Sequence, residues 1–300
     1  MSIRSNKGIN RIFIAILKGI SYLPFFVLYR ISDLLFVILR YVVGYRKRVV
    51  LANLHNAFPE KTEKEIKTIA NKFYRHLCDL ILETLKMHSM SSEKFSKHIT
   101  FRGIDATFAL HEKGISLILF GMHYNNWEWS SFGQHFSKHQ LLMIYDPIRE
   151  NPVFEDYLLG MRGRFGGKSI PIHKSARTAI EFSQKKIPVA LWLAADQRPP
   201  FITKFWTTFL NQEACFYSGI EKIAKKSDSP IFFHHTKKLR RGHYEVTFYP
   251  LIEHPAEWSD NEILLAYVRK MEEFIRQSPE YYLWSHRRWK QKRPEDYPLL

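Results

Sequence analysis

The sequence predicts an α/β fold, a mixed sheet flanked by helices, with a helical, membrane-associated N-terminal extension. Three observations carry this. From residue 100 onward short apolar runs alternate with helical patterns, as expected of a sheet covered on both faces. Before them, apolar residues at 66, 69, 70, 73, 77, 81 and 85 mark one face of a long helix. Ahead of that helix lies a stretch both strongly basic and strongly apolar.

Residues 1–48 hold nine Lys and Arg, from Arg4 and Lys7 to the run Arg46–Arg48, against one acid, Asp33. That is +8, half of the chain's +16, and it is interleaved with runs such as Ile12 to Leu17 and Leu34 to Leu39. Net charge of this size calls for an anionic partner or surface. Nucleic acid is the obvious rival, but such apolar runs suit an anionic membrane surface better, and no nucleic-acid partner is expected. The longest uncharged stretch, Gly19 to Tyr29, contains Pro24 and falls short of the roughly 18–20 residues a spanning helix needs. The segment therefore reads as an interfacial anchor, retained in the mature chain. A single span with Lys18 and Arg40 snorkelling stays open. Residues 1–48 form the anchoring segment and residues 49–300 a single catalytic domain.

The long helix starts at a capping box, Thr62 with Glu65. Strands are expected at 115–120, 141–145, 168–172, 188–195, 231–235 and 244–250. Helices are expected near 127–137, 153–163, 175–185, 214–226 and 260–277, the last opened by a second box, Ser259 with Glu262. Cys78 and Cys215 lack paired spacing, so neither a disulfide framework nor a zinc site is expected. The pair His234-His235 has no metal-ligand spacing around it, and no metal or other cofactor is expected.

The segment Phe120 to Trp129 carries the chemistry. His123 follows an apolar strand, and Glu128 lies five positions on. Imidazole titrates near operating pH, and a carboxylate can fix its tautomer and stabilise its charged form. Residues five apart diverge on one regular helix by about 140°. The two can meet only if His123 sits in the turn and Glu128 in the first turns of a following helix, with Asn125 or Asn126 as N-cap. The apolar strand Pro188 to Ala195 ends in Asp196, which is expected beyond a strand end where ligands bind in open α/β sheets. Arg162 and Arg164, in a glycine-rich turn, suit phosphate recognition; the sequence does not choose between them.

Asn53-Leu54-His55-Asn56-Ala57-Phe58-Pro59, His123 to Glu128, Asp196-Gln197 and Tyr281 to Lys290 together resemble the lipid A late acyltransferases of the lysophospholipid acyltransferase superfamily. Their signature is His, four residues, then Asp or Glu, commonly His-x-Gly-Asn-Trp-Glu; here Asn125 stands for the glycine, the next best residue for a left-handed turn. The resemblance implies a glycerol-3-phosphate acyltransferase-like fold and a location on the cytoplasmic face of a bacterial inner membrane. It implies an acyl-carrier protein or acyl-CoA donor and a lipid A precursor as acceptor. His123 would be the general base, Glu128 its orienting partner, and Arg162, Arg164 and Asp196 substrate-binding. A lysophospholipid, an amino-acid lipid or a glycolipid satisfies the same chemistry, and a non-catalytic membrane or nucleic-acid binder or a lipid hydrolase are the rival classes. Bulky Phe216 and Tyr217 depart from the family's small residues, which leaves the acyl-chain length open.

Overall fold

The computed structural model describes residues 7–199 and 201–300; the first six residues, Arg4 among them, and Pro200 lie outside the described residues. Helices α1 (Lys7–Ser21) and α2 (Phe25–Val37) are separated at Pro24, and α2 runs on into a π-helical turn, Ile38–Val42. Pro24 fixes φ near −65° and removes a backbone donor, which is why one continuous helix does not form. Among the described residues no helix is long and apolar enough to cross a membrane. Ile12, Phe13 and Ile16 of α1 and Phe26, Leu34 and Val37 of α2 face outward.

Helix α3 (Lys47–Ala57) leads to the long α4 (Glu63–Lys86), where both arms of the Thr62–Glu65 capping box are formed. Helices α1 and α2 lie along α4. Polar contacts fix them there. Buried Asp79 of α4 accepts from Ser32 Oγ of α2 at 2.7 Å, and Glu83 accepts from Tyr29 Oη at 2.9 Å.

The sheet-forming part then runs α5 (Ser92–Ser96), β1 (Ile99–Arg102), α6 (Phe108–Glu112), β2 (Leu117–Gly121), β3 (Gln140–Tyr145), α7 (Pro152–Gly163), β4 (Lys168–Pro171), α8 (Ser175–Gln184) and β5 (Val189–Ala194). It continues through β6 (Trp206–Phe209), β7 (Gln212–Cys215), α9 (Gly219–Ser227), β8 (Ile231–Arg240), β9 (His243–Ile252) and α10 (Glu262–Gln277). Seven described strands form one sheet in the order β1-β9-β8-β2-β5-β3-β4, parallel throughout except for the antiparallel pair β8–β9. The expected mixed sheet is thus present, dominated by parallel pairing. Its two faces feed separate cores. Ile118 and Phe120 of β2 pack into one and Leu117 and Leu119 into the other, as the period-two alternation of a strand requires.

Three expectations need correction. The 127–137 helix is a 3₁₀ helix, Trp127–His135. The 214–226 helix begins only at Gly219, because Ala214 and Cys215 end strand β7; β6 and β7 make a hairpin whose turn residues Leu210 and Asn211 both have positive φ, 50° and 61°, the geometry of a tight two-residue turn. At the second capping box only one arm exists: Glu262 accepts from the Ser259 N–H at 3.0 Å, and the helix starts at Glu262 with no side-chain cap.

His234 and His235 sit within β8, both buried, with His235 stacked on Phe274 at 3.7 Å. Burial pulls their pKa values down to about 4 and about 3, against about 6.5 in the unfolded chain. Between those values only the unfolded chain takes up the protons, so stability falls as pH drops from about 6.5 toward 3. Thermal melts between pH 7 and 4 should show this slope, and His235→Phe, which keeps the stacking and removes the proton site, should flatten it.

Candidate active site

The register of β2 and β5 builds the site. Gly121 pairs with Ala194 across the parallel ladder, so His123 and Asp196, each two residues further on, emerge level and side by side. Tyr267 of α10 ties the two strand ends together: its hydroxyl donates to the Gly121 carbonyl at 2.6 Å and accepts from the Ala195 N–H at 3.1 Å. Asp196 Oδ1 bonds His123 Nδ1 at 2.8 Å and also accepts the His123 backbone N–H at 3.1 Å. Burial raises the Asp196 carboxyl pKa, but His123 outweighs it and holds the group below its usual range. Paired in this way, Asp196 keeps the proton of the imidazole on Nδ1, which leaves Nε2 for a ligand.

Glu128 is therefore not the hydrogen-bond partner of His123. Its two oxygens are taken by Arg162, through Nε at 2.8 Å and Nη2 at 2.6 Å, and Oε1 also accepts from Trp127 Nε1 at 3.1 Å. Burial raises the Glu128 pKa, and the bidentate guanidinium more than offsets it, so the carboxylate is held ionised. The 3₁₀ path from Trp127 aims Glu128 toward the end of α7, while sheet register places Asp196 against the ring. Asp196, expected among the substrate contacts, bonds the imidazole. Arg164 points away: it donates to the Met87 carbonyl at the end of α4 and lies over Phe165. Of the two arginines, Arg162 lines the cavity.

The turn after His123 is held from three sides. Asn125 adopts φ 53° and donates to the Thr236 carbonyl of β8 at 2.7 Å, the left-handed geometry expected of that position. Asn126 is the N-cap, its Oδ1 accepting from the Trp129 N–H, and its Nδ2 donates to buried Glu83 at 2.8 Å. Trp127 stands edge-on to the imidazole, 5.1 Å between ring centres.

His123, Glu128 and Arg162 open into a cavity of about 640 Å³ with Leu141, Met143, Leu158 and Trp192 among its walls. Trp192 lies against Gly121, where an added Cβ would come within 2.8 Å of the indole. With Ser130 and Leu141 it separates the cavity from a void of about 20 Å³ behind it. Tyr217 reaches the cavity wall. Phe216 is fully buried beneath Arg288.

The terminal motif closes the site from behind. Trp284 and Arg288 are buried, Asn53 Nδ2 donates to the carbonyls of Trp284 and His286, and Arg288 donates to the Cys215 carbonyl. Two segments far apart in the chain, Asn53–Pro59 and Tyr281–Lys290, thus touch. Burial lowers the His286 pKa to about 4, and both Asp196 and His123 act on that ring. Tyr267, Glu83 and Trp127 were not singled out from the sequence. A tyrosine and a glutamate on amphipathic helices carry no local signal of such contacts.

A family profile described as "Bacterial lipid A biosynthesis acyltransferase" matches residues 5–291. The chain belongs to that family. It is accordingly an acyltransferase of lipid A biosynthesis, and the family implies a lipid acceptor. The lipid A biosynthesis lauroyltransferase of Escherichia coli (strain K12) is similar to it, 25% identical over 289 residues that cover 95% of this chain and 92% of that protein.

Breaking one half of a buried ion pair strands the other charge, at a cost of about 3–5 kcal/mol. Glu128→Ala and Arg162→Ala should each destabilise the acyltransferase on that scale in denaturant titrations. The double variant should cost clearly less than the sum, the coupling a double-mutant cycle measures.

Proposed function

We propose that this acyltransferase moves a fatty acyl group from an acyl thioester, carried by acyl-carrier protein, to a hydroxyl of a lipid A precursor at the cytoplasmic face of the inner membrane. The observation that carries the reading is the His123 Nδ1–Asp196 Oδ1 bond of 2.8 Å beside an apolar cavity of about 640 Å³. His123 Nε2 takes the proton of the acceptor hydroxyl, and Asp196 stabilises the imidazolium that forms. The acceptor oxygen attacks the thioester carbonyl. As the C–S bond breaks, the departing thiolate takes the proton from Nε2. Glu128 holds Arg162, whose remaining N–H groups are available for a phosphate or carbonyl oxygen of a substrate.

Direct transfer is supported by the surroundings of the other nucleophiles. Ser131 Oγ donates to the Glu128 carbonyl rather than to His123. Cys78 and Cys215 are buried, and burial pushes both thiols up, Cys78 to about 12, which suppresses the reactive thiolate. A basic surface suits an acidic carrier protein. The outward apolar side chains of α1 and α2, interspersed with the cations of residues 7–48, suit an anionic lipid interface.

The lipid A of a strain lacking the gene should have lost the mass of one acyl chain, and the unaltered gene should restore it. His123→Ala and Asp196→Asn should fail to do so, with transfer rates in purified protein, measured at a temperature where each variant is still folded, down by about 10²–10⁴-fold. Lipid A of unchanged mass in the deletion strain would overturn the reading. A mass change in another lipid would reassign the acceptor.

Trp192 of β5 lies in the cavity wall against Gly121, two residues below His123. Trp192→Ala should join the main cavity to the small void and shift the transferred chains toward greater length, read by fatty-acid analysis of the product.

A further inference from the structure

Trp127 and Glu128 have a second side. A groove of about 570 Å³ runs along α1, α4 and α7 and shares Trp127, Glu128 and Leu158 with the catalytic cavity. Its walls are almost wholly apolar. They are built by Leu77, Leu80 and Ile81 of α4 with Phe13 and Leu17 of α1. His286 lines it too, and that ring is close enough to His123 and Asp196 for the charges of both to act on it. Trp127, edge-on to His123 at 5.1 Å between ring centres, thus puts the inner end of the groove next to the reacting imidazole.

Its outer side continues into the surface of α1, where Ile9, Ile12 and Ile16 are more than half exposed, at 62%, 66% and 55%. Contiguous apolar surface of this kind marks an interaction site. Exposed Arg46, which donates to the Ser285 carbonyl, lines the same groove and puts a cation where an anionic headgroup would emerge. An apolar trough, open toward the face that suits the bilayer and rimmed by a cation, fits the fatty chain of an anionic lipid.

We propose that this groove holds a fatty chain that the acceptor lipid already carries, while the donor's chain occupies the main cavity; the assignment rests on the acyl-transfer reading. The two chains then lie on either side of the wall made by Trp127 and Glu128. The acceptor hydroxyl and the thioester carbonyl meet at His123 Nε2. Both substrates must be bound together for the oxygen to displace the thiolate.

The test narrows the groove from two walls. Ile81 is 40% exposed, so Ile81→Trp places an indole over the groove with little demand on the core. Leu17→Trp does the same from α1, and either variant that melts like the unaltered protein is sufficient. Steady-state rates are measured with an acyl-carrier-protein thioester and with lipid A precursor purified from the deletion strain. The KM for the precursor should rise about tenfold, as if about two methylenes of its chain were left in water, while the KM for the thioester stays where it was. A rise in the thioester KM instead, or no change in either, would overturn the assignment. Unaltered protein that transfers no acyl group to the precursor would refute the acyl-transfer reading itself, a different result from active enzyme whose acceptor KM ignores the groove.

Discussion

The parallel register of β2 and β5 is the constraint on which the site depends. A histidine and an aspartate 73 positions apart meet because each leaves its strand two residues beyond the paired glycine and alanine. A one-residue slip would turn one of them to the opposite face of the sheet. Tyr267 guards against that slip by hydrogen bonding to both strand ends at once, and its own buried hydroxyl is satisfied in doing so. Burial and hydrogen-bond satisfaction thus act together at this point, where the protein also needs its highest geometric precision.

Around this pair the polar groups are sorted into two hydrogen-bonded sets. Asp196 serves the ring, while Glu128 serves Arg162. Low dielectric strengthens each pair and would punish either carboxylate left alone. The sorting gives each basic side chain a carboxylate of its own, Asp196 for the His123 ring and Glu128 for the Arg162 guanidinium.

Much of this was legible in the sequence, and what was not has physical causes. The strands at 115–120 and 188–195 announce themselves as apolar runs, and His123 and Asp196 as their polar ends. Proximity along the chain then suggested Glu128 as the partner, since sheet register has no signature in a single sequence. The hairpin β6–β7 was hidden because its turn is Leu210-Asn211 rather than the Asn-Gly pair that usually marks such geometry. Tyr267 stands in the apolar stripe of α10 and reads as core, which it also is. Family-level motifs were recoverable because they combine rare residues in a fixed order; the terminal motif, so conspicuous as charge, proves to be mostly packing.

The polar attachment of α2 has a consequence for any attempt to shorten the chain by trimming the N-terminal helices. Tyr29 and Ser32 are bonded to Glu83 and Asp79 inside the protein, and Arg241 bridges Asp33 to Asp79. Cutting them away would expose a carboxylate that also steadies Asn126, one bond removed from the turn bearing His123. The apolar front end and the His123 ring are parts of one mechanical unit, and a shortened chain would shed apolar surface only by loosening the turn that carries the ring.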